Sequence, residues 1–337
     1  MKRMMKFSFT MCILFTVLFI FYYMNAQREN RSLRLADDAG RFTFVCPKVN
    51  DGYWSSVAYG MMKQDQIQGT NTKFVGPTQY TAEKVCMAVN AAVNSNVDGI
   101  ITAGSRVDEE VINALETASQ KQIPIVLVDT DTEQIDRICY IGTDNYAAGQ
   151  MAARDMLEAS SKPVRAAVIL VSLSSENQEK RLKGFQDELS DHPDCGVVSV
   201  LEADSDFLYL NEMLPRTLKK NPEINAIFCA EEFSATVVGR ILTSMGSEYD
   251  DICVVAFDKM DDTLAYVESG RYFSTIVQQS DRMGELAVRV LGDYLNGILP
   301  EKDIIYTDSL SIRKDNLKDV ERYESEGVTW HSYTGNL

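Results

Sequence analysis

Histidine is scarce: only His192 and His331 occur in 337 residues. Both flank loop-like sequence and read as solvated surface residues. The chain also lacks the signatures of common catalytic machinery. There is no GxSxG, no P-loop and no HExxH. Gly142, Gly149 and Gly184 do not form a GxGxxG at a strand–helix turn, and read as turn and close-packing residues. Seven cysteines are present, but no two form a CxxC, so neither a zinc site nor a redox site has support. Cys46, Cys229 and Cys253 lie inside apolar strand-like runs, where a thiol behaves as a small hydrophobe. Positive charge is in deficit, with 33 Lys and Arg against 49 Asp and Glu and a net charge of −16. Such a chain repels nucleic-acid phosphates. Catalysis is thereby the weaker class. No cofactor, metal or nucleic-acid partner is expected.

Three apolar runs that end in a carboxylate stand out. Ile252 to Phe257 is followed by Asp258, Ile125 to Val128 by Asp129, and Ala226 to Ala230 by Glu231. Each run is too short for a helix and is built of strand-forming residues, so each predicts a buried strand. In open α/β sheets the carboxyl edge of the strands is where ligands bind.

The order along the chain extends this pattern. Lys2, Arg3 and Lys6 precede an almost wholly apolar stretch, Phe7 to Tyr23. That is the layout of a signal peptide or a membrane anchor over residues 1–26, with the remainder exported. A polar linker spans 27–40. Strand-like stretches at 42–46, 72–75, 99–103, 125–129 and 137–141 alternate with helical ones at 54–68, 81–94, 108–120 and 145–160. The alternation then restarts. Strands are predicted at 166–171, 197–202, 226–230 and 252–257, and helices at 178–190, 208–220 and 234–244. A helical pattern opens after Met260. Stretches 273–277, 282–296 and 304–312 close the pattern, and a polar tail begins at 323. Strands separated by helices imply parallel sheets covered on both faces, and two rounds imply two doubly wound sheets. Ile141–Gly142–Thr143–Asp144 marks the seam.

Polar and aromatic groups gather at the strand ends: Asp51, Tyr53 and Trp54, then Ser105, then Asp129 and Thr130. Arg181, Glu231, Asp258 and Gln278 come from the second round. Carboxylates and amides that pair hydroxyls, with flat aromatic faces, suit a sugar or polyol. Each residue also has a plainer reading. Asp129 and Asp258 could cap a following helix. Tyr53 and Trp54 could be core. Arg181 could pair with Glu179 or Glu188 on a solvated helix face. Glu232 reads as a helix N-terminal charge.

Seven stretches, in this order and spacing, resemble the type I periplasmic sugar-binding proteins, the ribose-binding group most closely. They are KVNDGYW at 48–54, DGII at 98–101, IPIVLVD at 123–129, GTDN at 142–145, RLKGF at 181–185, VAFD at 255–258 and TIVQ at 275–278. The same fold forms the ligand-binding core of lac-repressor-type regulators. The resemblance covers 42 to about 312 and implies two lobes, 41–143 plus 279–305 and 144–278 plus 306–322. They would be joined by a three-crossing hinge near Thr143, Gln278 and Tyr306 that closes on the ligand without catalysis. It also implies Tyr53 and Trp54 as stacking aromatics, with Asp51, Asp129, Arg181, Asp258 and Gln278 as hydrogen-bonding groups. Pro47, Gly104, Thr130 and Glu231 depart from the usual pattern, and Thr130 in place of a basic residue together with Glu231 makes the cleft more acidic. With Asp51, Asp129, Glu231 and Asp258 facing only Arg181, an anionic ligand would be repelled. A neutral monosaccharide fits, and an aminated ligand is the alternative. The expected role is a solute-binding protein on the outer face of the cytoplasmic membrane. It would serve an ABC permease or, as an anchored sensor, a membrane histidine kinase. A repressor would need a DNA-binding helix pair where this chain carries an apolar segment.

Overall fold

The computed structural model describes residues 40–203 and 206–318. The expected anchor, most of the linker and the tail lie outside these residues. Among them no helix is long and apolar enough to cross a membrane.

The first sheet contains β1 (Arg41–Val45), β2 (Asn71–Val75), β3 (Gly99–Thr102), β4 (Ile125–Val128) and β5 (Cys139–Thr143). The interleaved helices are α1 (Gly52–Gln68), α2 (Ala82–Asn94) and α3 (Glu109–Gln120). The chain then builds a second sheet from β6 (Arg165–Leu170), β7 (Gly196–Glu202), β8 (Ala226–Cys229), β9 (Cys253–Phe257) and β10 (Ser274–Gln278). Its helices are α4 (Asn145–Ala159), α5 (Glu176–Ser190), α6 (Phe207–Lys220), α7 (Glu232–Met245) and α8 (Asp261–Ser269). Helix α9 (Ser280–Leu295) and β11 (Ile304–Thr307) return to the first sheet, and β12 (Ser309–Arg313) ends on the second. The spatial orders are β2-β1-β3-β4-β5-β11 and β7-β6-β8-β9-β10-β12, the same strand order twice. Every pairing is parallel except β10 with β12.

The central strands are buried throughout, as their unbroken apolar runs require: β3, β4 and β8 contain no exposed residue. Helices α1 and α9 cover one face of the first sheet, packing Val57 and Met61 beside Met283, Ala287, Val288 and Leu291. In the second sheet α4 and α5 do the same with Ala148, Ala152, Leu182 and Phe185. Both helix pairs meet through glycine. A Cβ on Gly60 would lie 1.8 Å from the Asp281 carbonyl oxygen, and one on Gly184 would lie 2.0 Å from that of Tyr146. The six cysteines in the described residues are free thiols, with Cys46, Cys139 and Cys229 buried.

One closing stretch is divided between the sheets. The run 304–312, expected to cross near Tyr306, breaks two residues later at exposed Asp308. Its halves serve different sheets: Ile304–Thr307 pair with β5, and Ser309–Arg313 pair with β10. Alternating apolar residues reveal extended backbone but not the sheet it joins.

The chain therefore passes between sheets at Thr143–Asn145, Gln278–Ser280 and Thr307–Ser309. Side chains tie these passages together. The Thr143 hydroxyl donates to Gln278 Oε1 at 2.8 Å, and that of Thr307 donates to the Gly142 carbonyl at 3.4 Å.

Candidate functional site in the cleft between the sheets

Asp129 and Asp258 occupy matching places, immediately after β4 and β9. Both have left-handed backbone, with φ of 66° and 64°. For a residue with a Cβ this conformation costs about 1–2 kcal/mol, and it clusters at ligand clamps. Each is pinned by the neighbouring strand: Asp129 N donates to the Ile141 carbonyl at 3.0 Å and Asp258 N to that of Ile276 at 2.8 Å. Neither caps a helix. Asp129 accepts from the Tyr53 hydroxyl at 2.6 Å and from the Thr130 hydroxyl at 2.8 Å. Asp258 accepts from Gln278 Nε2 at 2.9 Å. Gln278 thus joins the hinge threonine to the acid of the second lobe.

Arg181 is buried, 3% exposed, and its guanidinium lies 3.7 Å above the Phe257 ring. Its Nε donates to Asn145 Oδ1 and its Nη1 to the Ala230 carbonyl, both at 2.8 Å. The surface-pair reading of Arg181 is thereby set aside. Glu179 instead meets Arg106 across the cleft at 3.5 Å, and Glu188 meets Arg154 at 3.0 Å.

Two cavities flank this arrangement. The larger, about 400 Å³, is lined by Tyr53 and Ser56 from one lobe and by Glu232, Thr236 and Asp258 from the other, with Gln278 at the hinge. The smaller, about 260 Å³, holds Asp129, Thr130, Asn145, Tyr146 and Lys180. Of the sequence-predicted residues, Tyr53, Asp258 and Gln278 thus share one cavity, and Asp129 and Thr130 the other.

The remaining candidates have local structural work. Asp51 caps α1 by accepting from the backbone N–H groups of Tyr53 and Trp54, and pairs with Lys48 at 3.2 Å. Glu231 caps α7 through Phe233 N at 2.6 Å and Ser234 N at 2.8 Å. Ser105 shapes the turn before α3, donating to Asp108 at 2.7 Å. Trp54 packs against the first-lobe core, 6.0 Å from the Phe44 ring. Ser56 and Thr236 went unnoticed in the sequence, and Glu232 was read as a dipole partner. Thr236 falls one turn after Glu232, the spacing that places both on one helix face.

Electrostatically the cleft holds more acid than base. Burial pushes the Asp258 carboxyl up to about 6, and the nearby Arg181 charge only partly opposes this. Glu232 is pushed up to about 7, chiefly by burial and then by the charges of Asp258, Asp51 and Glu231. The sequence expectation that the acids face only Arg181 needs correction. Lys48 sits beside Asp51, and Lys259 lines the larger cavity. Both basic residues are sequence neighbours of cleft acids, Lys48 three residues before Asp51 and Lys259 directly after Asp258. No group of three or more metal-ligating side chains among the described residues could hold a metal ion.

The family model described as a periplasmic binding protein domain matches residues 42–298. The chain belongs to the periplasmic binding protein family. In this family's type I members the two-lobed α/β architecture found here recurs. The ribose import binding protein of Bacillus subtilis (strain 168) is 25% identical over 257 residues, covering 76% of this chain and 82% of that protein. The glucose-galactose binding protein GanP of Geobacillus stearothermophilus superposes with a TM-score of 0.77 at 27% identity. It covers 83% of this chain and 99% of GanP. A chain solved as the XylFII–LytSN complex superposes with a TM-score of 0.71 at 26% identity, over 82% of this chain and 98% of that one.

Proposed function

We propose that this protein is an exported receptor whose lobes close on a small neutral sugar and present it to an ABC importer. The observation that carries the reading is the pair of left-handed aspartates at equivalent strand ends, one in each lobe. Asp129, Asp258, Gln278 and Arg181 supply acceptors and donors for hydroxyls, and Tyr53 supplies a flat face for the sugar's C–H groups. Ribose and glucose-galactose binding by the two relatives above supports the ligand class. A ligand bridging both lobes favours the closed form by its differential affinity, and a partner can read that state. The predominance of acid disfavours an anionic ligand. A neutral pentose or hexose at 100 times its dissociation constant should raise stability by about 2.7 kcal/mol, whereas its phosphate ester should leave the melting temperature unchanged. A thermal-shift comparison of the two tests this; stabilisation by the ester alone would reverse the charge assignment.

A second reading keeps the ligand and changes the partner. The basic-then-apolar N-terminus and short linker suit a protein tethered at the outer face of the membrane, and a tether raises the local concentration of a membrane partner. The XylFII–LytSN neighbour, captured with a second protein, favours this sensor role beside a membrane histidine kinase.

A further inference from the structure

The start of α7 carries two adjacent glutamates with different surroundings. Glu231 spends both carboxylate oxygens on its own helix terminus, as described above. Glu232 is half-buried and lines the larger cavity, in which Tyr53 and Ser56 belong to the opposite lobe. Among the described residues its carboxylate has no hydrogen-bond donor and no direct ion pair; only burial and more distant charges act on it. Thr236 lines the same cavity and donates its hydroxyl to the Glu232 carbonyl oxygen at 3.0 Å, leaving the carboxylate free for another donor.

We propose that Glu232 is a specificity-determining residue of the cleft, accepting hydrogen bonds from hydroxyls of the bound sugar. The proposal rests on the sugar-receptor reading. A partly buried carboxylate without a hydrogen-bond partner is costly to hold, and a ligand that supplies donors relieves the cost. One that lacks a hydroxyl there leaves the acid unpaired and is discriminated against. The charges around Glu232 are those of Asp258, Asp51 and Glu231, with Lys48 opposing them. Lys259, Asp261 and Asp262 share the cavity lining. Burial and the neighbouring acids push Glu232 up to about 7, and burial pushes Asp258 up to about 6. Hydroxyls donate more strongly to the ionised acid. Sugar affinity should therefore fall as both coupled carboxyls take up protons below about 7.

Calorimetric titration of the full-length chain in mild detergent, with a panel of neutral aldopentoses and aldohexoses, supplies the tightest-binding sugar as the probe. Glu232→Gln is expected to bind it at least ten-fold more weakly at pH 8 and to lose less affinity on acidification than the wild type. Glu232→Asp, which keeps the charge and shortens the reach, should retain the wild-type fall on acidification at reduced affinity. Wild-type affinity at pH 8 with an unchanged fall on acidification in Glu232→Gln would overturn the role of Glu232 alone. Failure of the wild-type chain to bind any member of the panel would overturn the sugar reading and this role with it.

Discussion

Replacing Asp258 with alanine is expected to weaken sugar binding about 30-fold or more, a loss of roughly 2 kcal/mol. The carboxylate stands in left-handed backbone between a hinge glutamine and the larger cavity, so truncation removes the proposed ligand acceptor and strands Gln278 Nε2. Calorimetric titration of the variant checks the loss. The same residue has the opposite effect on the empty protein. Its carboxyl is raised from 3.8 to about 6 in the fold. A raised folded-state value means that the folded chain holds the proton more tightly than the unfolded one. The associated stability is fully present below pH 3.8 and is lost as pH rises through about 6. At pH 8 the ionised Asp258 thus destabilises the ligand-free protein. Asp258→Asn, which keeps an acceptor for Gln278 without the charge, should stabilise it by about 2 kcal/mol there and by little at pH 4. Chemical denaturation at the two pH values measures the difference. A variant that lost binding and also lost stability at pH 8 would mark Asp258 as a structural residue.

Gly60→Ala should be the most disruptive single methyl in the first lobe, costing about 3 kcal/mol or more. The added carbon would fall 1.8 Å from the Asp281 carbonyl oxygen, and backbone cannot swing aside as a flexible side chain can. The seam is reinforced from the other side, because a Cβ on Gly284 would meet the Val57 carbonyl oxygen at 2.0 Å. Helix α9 begins two residues after Gln278, and the Ser280 hydroxyl lies 2.8 Å from that of Ser56. Displacing α9 therefore also shifts the hinge, and ligand affinity should fall with stability. Urea denaturation of the variant, compared with Gly52→Ala, where a Cβ meets nothing within 4 Å, separates crowding from a general intolerance of side chains.

Much of the architecture was legible because each central strand is a short apolar run with an abrupt polar end. The same rule placed Asp129 and Asp258 at the cleft. It also selected Glu231, and Asp51 was gathered with the groups that follow β1; for both, the distance to the next helix makes the difference. Helices begin at Gly52 and Glu232, directly after these acids, so their oxygens turn to the helix N-terminus. Asp258 stands three residues before α8 and remains available to the cleft. The left-handed backbone of both aspartates was not legible, since no glycine signals it. The environment of Arg181 was hidden for another reason. Its partners, Asn145 and the Ala230 carbonyl, lie 36 and 49 residues away, while the carboxylates of Glu179 and Glu188, two residues before it and seven after it on its own helix, looked equally good. Glu232 does stand in the first turn of α7, as its local position suggested, and only the opposing lobe reveals the cavity it also lines.

The most direct measurement is isothermal titration calorimetry of the full-length chain with neutral pentoses, hexoses and polyols, alongside amino sugars and polyamines. Saturable binding of one neutral sugar at one site per chain, abolished or strongly weakened in Asp258→Ala, is the expected result. Binding confined to the amine-bearing compounds, or none to any compound in the set, would contradict a receptor for neutral sugars.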